Sequence, residues 1–227
     1  PSSLTNTSLG NDTTPTITGI AEAGSTVKLF NGSTLLGTAT ADSNGNFSIT
    51  SSALSDGNYS LTTTATDTAG NTSASSSALS ITVDTTAPST PSSLTNTSLG
   101  NDPTPTITGI AEAGSTVKLY STHVYVPTIL VYPPPPPVVT YSLLGSGLAD
   151  NNGNFSITLN ELIDGSYSLT ANATDTAGNS SSLPGYGLVL GQLSITIDTT
   201  APSAPSSLLN TSQGNDSTPT ITGTAEA

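Results

Sequence analysis

The chain has 227 residues, a formal net charge of -13 with two basic residues, 7% charged and 4% aromatic residues, and no cysteine, methionine or tryptophan. Two cations cannot neutralise a phosphate backbone or an anionic bilayer, which excludes nucleic-acid and membrane-surface binding. Without cysteine there is neither a disulfide nor a thiolate site, so a metal is the expected staple, and no run of about 18 apolar residues offers a helical span.

The chain repeats itself. Residues 14–29 return as 104–119 and begin again at Thr218, and the stretch opening at Pro1 returns at Pro91, 90 residues on, and at Pro205, 114 further. Self-similarity at such a period sets the architecture before any site is considered. The expected units are 1–87, 88–201 with insertions near 121–138 and 183–191, and the start of a third over 202–227. Each full unit is long enough to bury a modest core. No signal peptide is read at the start, and the last unit breaks off, so the chain is expected to be a segment of something longer.

In the first unit a weak strand near Leu4 comes first, followed by a run carrying Ile17 and Ile20. Val27 and Leu29 alternate next, up to a hairpin signal at Asn31 and Gly32. Residues 34–41 follow, then a turn at Asn44 and Gly45 and a strand with Phe47 and Ile49. Tyr59, Leu61, Thr63 and Ala65 alternate in the sixth run, and Leu79, Ile81 and Val83 in the seventh. Thr and Val favour strands, while Gly, Asn and Pro punctuate them. Seven short strands at this spacing predict an all-β fold, a Greek-key β-sandwich in each unit with the last unit truncated. Residues 56–61 and 164–169 look like the tyrosine-corner segment of an immunoglobulin-type sandwich, with Leu61 where a disulfide cysteine would sit. The plainer reading is a turn before a strand with a buried Tyr.

Residues 14–19, 21–24, 67–71 and 84–88 together resemble the bacterial immunoglobulin-like repeats of giant surface and secreted adhesins. The resemblance covers the first repeat and most of the second. It implies tandem stalk or filament modules, in which calcium often stiffens the joints between domains, at an extracellular or cell-surface location.

The acids support a related expectation independently. With strands assigned A, B, C, C′, E, F and G, Glu22, Asp42 and Asp67 fall at the entry pole of the first repeat, and Asp12 and Asp84 at its exit pole. In the second, Glu112, Asp150 and Asp175 take the entry and Asp102 and Asp198 the exit. Stacked head to tail, Asp12 and Asp84 would face Glu112, Asp150 and Asp175, and Asp102 and Asp198 would face Glu226. Clustered carboxylates repel without a cation, and hard oxygens suit calcium, so a calcium ion is expected at each joint. The alternative is that Asp merely caps turns. Residues 42–46 and 150–154 slightly resemble the opening of a calcium loop but lack its closing glutamate, and a plain turn is the reading preferred.

The second repeat departs from the pattern. Its first insertion holds Tyr125, Ile129, Val131 and Tyr132, five prolines over 133–137, and leads to Tyr141; the smaller one holds Tyr186. The proline run is expected to be polyproline II. A loop this apolar on a polar protein suggests packing on a neighbouring copy or another partner, for instance by strand addition at a sheet edge. Equally weighted is a longer C–C′ hairpin folded on its own domain.

No catalytic set can be assembled. His123 is the single histidine, no nucleophile elbow or triad is present, and no glycine loop leads into a helix. Asn-X-Ser/Thr sites at Asn6, Asn46, Asn71 and Asn179 follow from composition. Two function classes remain. One is an extracellular stalk or filament with calcium-stiffened joints that could assemble with copies of itself. The other is a recognition module whose tyrosine-rich insertion binds a glycan or a host or cell-surface protein.

Overall fold

The computed structural model describes residues 1–125, 138–183, 193–212, 214–215 and 217–225. The described residues contain strands and no helix, so no helix long and apolar enough to cross a membrane is present among them.

The first repeat forms β1 (Ser2–Asn6), β2 (Thr16–Ile20), β3 (Thr26–Asn31), β4 (Thr34–Thr40), β5 (Asn46–Thr50), β6 (Gly57–Thr66) and β7 (Leu79–Val83). They build a sheet in the order β1-β2-β5 and a second in the order β4-β3-β6-β7, every pairing antiparallel. These are the A-B-E and C′-C-F-G sheets of an immunoglobulin-like sandwich. The second repeat repeats the plan with β8 (Ser92–Asn96), β9 (Thr106–Ile110), β10 (Thr116–Tyr125), β11 (Val138–Leu148), β12 (Asn154–Thr158), β13 (Gly165–Thr174) and β14 (Leu193–Ile197). In the third unit β15 (Ser206–Asn210) pairs with β16 (Ile221–Thr224).

Alternation along each strand sorts the residues. Ile17, Val27, Leu29, Phe47, Ile49, Leu61, Ile81 and Val83 point inward and are buried, while their neighbours are exposed or half-buried. The equivalent core of the second repeat holds Ile107, Val117, Leu119, Phe155, Ile157, Leu169, Ile195 and Ile197, and the two cores share no residue. A residue slipped into β4 lets Leu29 pair Gly37 while Phe30 pairs Leu35. That bulge aims Leu36 into the core, and Leu144 makes the same move in β11.

The tyrosine corner is present in both repeats. The Tyr59 hydroxyl donates to the Ser55 carbonyl at 2.8 Å, and the Tyr167 hydroxyl to that of Ile163 at 2.9 Å. Leu61 and Leu169, two residues on, are fully buried at the position a cysteine would take. The hairpin signal at Asn31 and Gly32 marks the right hairpin with its turn one residue later. Asn31 pairs Thr34, so Gly32 and Ser33 are the turn residues, and the positive φ falls on Gly32 alone, at 58°. A turn needing φ > 0 only at its first central residue selects Gly there and leaves Asn31 in the strand.

The first insertion of the second repeat lengthens the C–C′ hairpin. β10 and β11 pair from Thr116 with Leu148 out to Tyr125 with Val138, whereas β13 accompanies β10 only from Thr116 to Ser121. The outer part of the hairpin is therefore a two-stranded ribbon standing beyond the sheet. At the base of the ribbon Tyr141 meets Tyr120, which β13 still accompanies, edge-on, ring centroids 6.3 Å apart.

Candidate functional site, the joint between the two sandwiches

Each pole is built from turns that fold on their own side chains. In the F–G turn of the first repeat, the Asp67 carboxylate accepts the backbone N–H of Asn71 at 2.8 Å and its side-chain amide at 2.8 Å. Asp175 repeats this in the second repeat, accepting the N–H groups of Gly178 at 2.7 Å and Asn179 at 2.9 Å and the Asn179 amide at 2.8 Å. Asp12 takes the N–H and hydroxyl of Thr14 at 2.8 and 3.1 Å, and Asp102 those of Thr104 at 2.8 and 3.0 Å. Short acids fold back on nearby N–H groups in this way wherever a turn leaves them unpaired.

The exit pole is tied across. The Asp84 N–H at the end of β7 donates to the Gly10 carbonyl of the A–B turn at 3.0 Å, and Asp198 does the same to Gly100 at 3.0 Å. The E–F turn then holds the outgoing chain. Asp56 accepts the N–H and hydroxyl of Thr85 at 3.0 and 2.8 Å and the Thr86 hydroxyl at 2.9 Å. Asp164 does so with Thr199 and Thr200. This clamp on the connecting segment was missed by sequence reasoning. The available signal was the joint recurrence of Asp56 with Thr85 and Thr86.

The exit pole of the first repeat meets the entry pole of the second through its F–G turn. The Asn179 amide donates to the Asp84 carbonyl at 2.7 Å, and the Asn11 N–H donates to the Ala177 carbonyl at 3.1 Å. Gly10 lies so close that a methyl placed on it would sit 3.0 Å from the Ala177 Cα.

Of the acids expected at this joint, the structure links Asp84 and Asp175 through Asn179, and places Asp12 beside the contacting Gly10 and Asn11. Asp150 is engaged in its own turn by the N–H groups of Asn152 and Asn154 at 2.8 Å each. The Glu112 side chain stays exposed while its carbonyl accepts from Ser115. Asp102 and Asp198 occupy the second exit pole, and Glu226 lies outside the described residues. Among the described residues no group of three or more Asp, Glu, His or Cys side chains could hold a metal ion. The joint's donors fit calcium in kind, since carboxylates and carbonyls are hard oxygens. Asp12 is bound by Thr14, Asp175 by its own turn and Asp84 by the Thr86 N–H at 3.0 Å, so an ion would share each carboxylate with these donors. Of the expected contact residues, Tyr141 lies on the ribbon and Tyr125 ends β10, while Ile129, Val131, Tyr132 and Tyr186 fall outside the described residues.

The electrostatics follow these bonds. Asp12, Asp42, Asp56, Asp67, Asp102, Asp150 and Asp164 are all held below the ordinary aspartate value of 3.8 by backbone and side-chain donors. At Asp175 burial pushes the carboxyl up, but the Asn179 amide and backbone donors outweigh it. A neighbouring carboxylate raises none of them. These acids bind protons more weakly folded than unfolded, so their stabilisation is present above the unfolded value of 3.8 and is lost as pH falls through the lowered values. Urea midpoints should therefore hold steady from neutral pH down to about pH 4 and fall below it. A rise in midpoint on acidification would mean that carboxylate repulsion dominates instead.

Among solved structures, the BSP domain of a biofilm associated protein is 19% identical, covering 87% of this chain and 30% of its own, with a TM-score of 0.31. The fibronectin(III)-like modules of Clostridium thermocellum CbhA are 17% identical over 86% of this chain and 94% of theirs, with a TM-score of 0.44. The adhesin InvE of Yersinia pseudotuberculosis is 14% identical over 91% and 65%, with a TM-score of 0.31. The chain thus spans less than a third of the first of these. No curated protein matches. The model of the bacterial Ig-like domain family matches residues 3–85 and 139–199, more than half of the chain, taking in the first sandwich and β11 to β14 of the second. With the two sheets, the tyrosine corner and the repeated turns in place, the chain belongs to the bacterial Ig-like domain family.

Proposed function

We propose that this chain is part of an extracellular or cell-surface stalk or filament, in which tandem Ig-like repeats are joined end to end and calcium stiffens the joints. The observation that carries the reading is the pair of bonds from the exit pole of one repeat to the entry turn of the next, made by residues that each repeat carries. In such an array stability is a sum of unit terms and neighbour terms. Asp12, Asp84 and Asp175, the acids on either side of the contact, are the proposed calcium ligands. A bound ion stabilises the state that holds it by mass action. Adding millimolar calcium should raise the melting temperature of the chain above its value in EGTA, read by calorimetry. Equal melting temperatures in the two conditions would remove calcium from this reading.

A second reading is supported by the ribbon of β10 and β11. At its base Tyr141 packs edge-on against Tyr120 of the sheet, and β11 is an edge strand. That surface suits a glycan or a protein partner, or another copy of the chain added at the edge. Electron microscopy and a glycan array separate these outcomes. Fibres without sugar binding favour the stalk with self-assembly, and monomers that bind sugar favour the recognition module.

A further inference from the structure

We infer that the side-chain amide of Asn179 is the latch that sets the orientation of the second sandwich on the first, and that it acts without a cation. The inference rests on the end-to-end reading but not on its calcium clause. A primary amide nitrogen carries two protons. One reaches the Asp175 carboxylate at 2.8 Å, inside the F–G turn, and the other reaches the Asp84 carbonyl at 2.7 Å, in the preceding repeat. One group thereby spans two oxygens belonging to two domains.

The surrounding contacts show that the latch has a fitted seat. Ala177, two residues before Asn179, accepts the Asn11 N–H at 3.1 Å. Gly10 admits Ala177 closely, since a methyl there would lie 3.0 Å from its Cα and 3.1 Å from its Cβ and would push it away by a few tenths of an ångström. The Asp84 carbonyl is itself fixed, because the Asp84 N–H is bound to Gly10 at 3.0 Å and Asp56 holds the two residues that follow. Donor and acceptor are thus both rigid before they meet, which lowers the cost of joining them.

The same parts recur. Asn71 makes the same bonds to Asp67 in the first repeat, and Gly100 with Asp198 reproduces the receiving pole on the second. The latch is therefore written into the repeat and is not an accident of one loop. The two cores share no residue, and domains not joined by a large apolar interface are ordinarily free to move. One shared amide consequently decides orientation, where in a large apolar interface it would decide little.

The chain has no cysteine, so two can be introduced without side reactions. Ser48→Cys and Ser156→Cys place spin labels on exposed positions of β5 and β12, one in each sandwich. The distance distribution between them, by pulsed electron resonance, reads the joint directly. With Asn179 present the distribution should be narrow both in EGTA and in calcium. Asn179→Ala should broaden it about twofold in both conditions, as expected for two unlatched domains. Asn71→Ala breaks the same bond within its own turn but no bond to another repeat, and should leave the width unchanged.

An unchanged width in Asn179→Ala overturns the inference. So does an Asn71→Ala broadening equal to that of Asn179→Ala, which would make the effect one of turn stability. If EGTA alone broadens the parent protein as far as Asn179→Ala does, a cation is the latch, the inference fails and the calcium reading stands. If EGTA leaves both width and melting temperature unchanged while Asn179→Ala broadens the distribution, the latch stands and the calcium reading fails.

Discussion

Leu169→Ala should lower the stability of the second sandwich by about 2–5 kcal/mol and leave that of the first unchanged. Leu169 is fully buried in β13, at the corner position two residues after Tyr167, and packs in a cluster with Val117, Leu119, Phe155 and Ile195. Removing three carbons there loses their transfer free energy and leaves a cavity that a close-packed sandwich fills only in part. The two cores share no residue, so the loss has no direct route into the first repeat. Calorimetry should show one transition displaced downward and the other in place. A uniform shift of both would mean that the repeats unfold as one cooperative unit, contrary to what separate cores imply.

Gly153→Ala should cost about 2 kcal/mol or more, for two reasons that add. Gly153 sits in the C′–E turn at φ 83°, a conformation that L side chains avoid. A methyl there would also lie 2.5 Å from the Ala111 carbonyl oxygen, a backbone atom that cannot rotate away. That carbonyl belongs to a tied pair of loops, since the Ala111 N–H donates to the Gly153 carbonyl at 2.8 Å. Relief of the clash must therefore part the B–C and C′–E turns, and with them the start of β12. Gly45 in the first repeat has the same φ sign and the same 2.5 Å approach, to Ala21, so Gly45→Ala should behave alike. Gly24→Ala is the control: its φ is also positive, at 77°, but nothing stands within 4 Å. It should show the conformational cost of about 1 kcal/mol alone. Chemical denaturation of the three variants checks the ordering.

Period-two alternation, turn residues and self-similarity are local properties, and a chain states them without being folded. The seven strands of the first repeat, the inward residues from Ile17 to Val83, the tyrosine corner and the division of the acids between two poles could all be read in this way. The position of the Asn31 turn could not be read to the residue, because the flanking register decides which two residues lie outside the ladder. The insertion was legible only as two alternatives. Register adds that its described part lengthens the hairpin, pairing β10 with β11 out to Tyr125 and Val138.

The joint depended most on tertiary structure. Sequence placed carboxylates at both poles and suggested that they converge on one ion. Folding engages most of them with donors in their own turns or on the outgoing chain, because backbone N–H groups left over at each turn are nearer than any acid of another repeat. Among the described residues, what crosses between the repeats is an Asn amide, a backbone N–H, a glycine and two backbone carbonyls. Backbone groups have no letter in a sequence, and a side-chain amide shows its second partner only once both domains are in place.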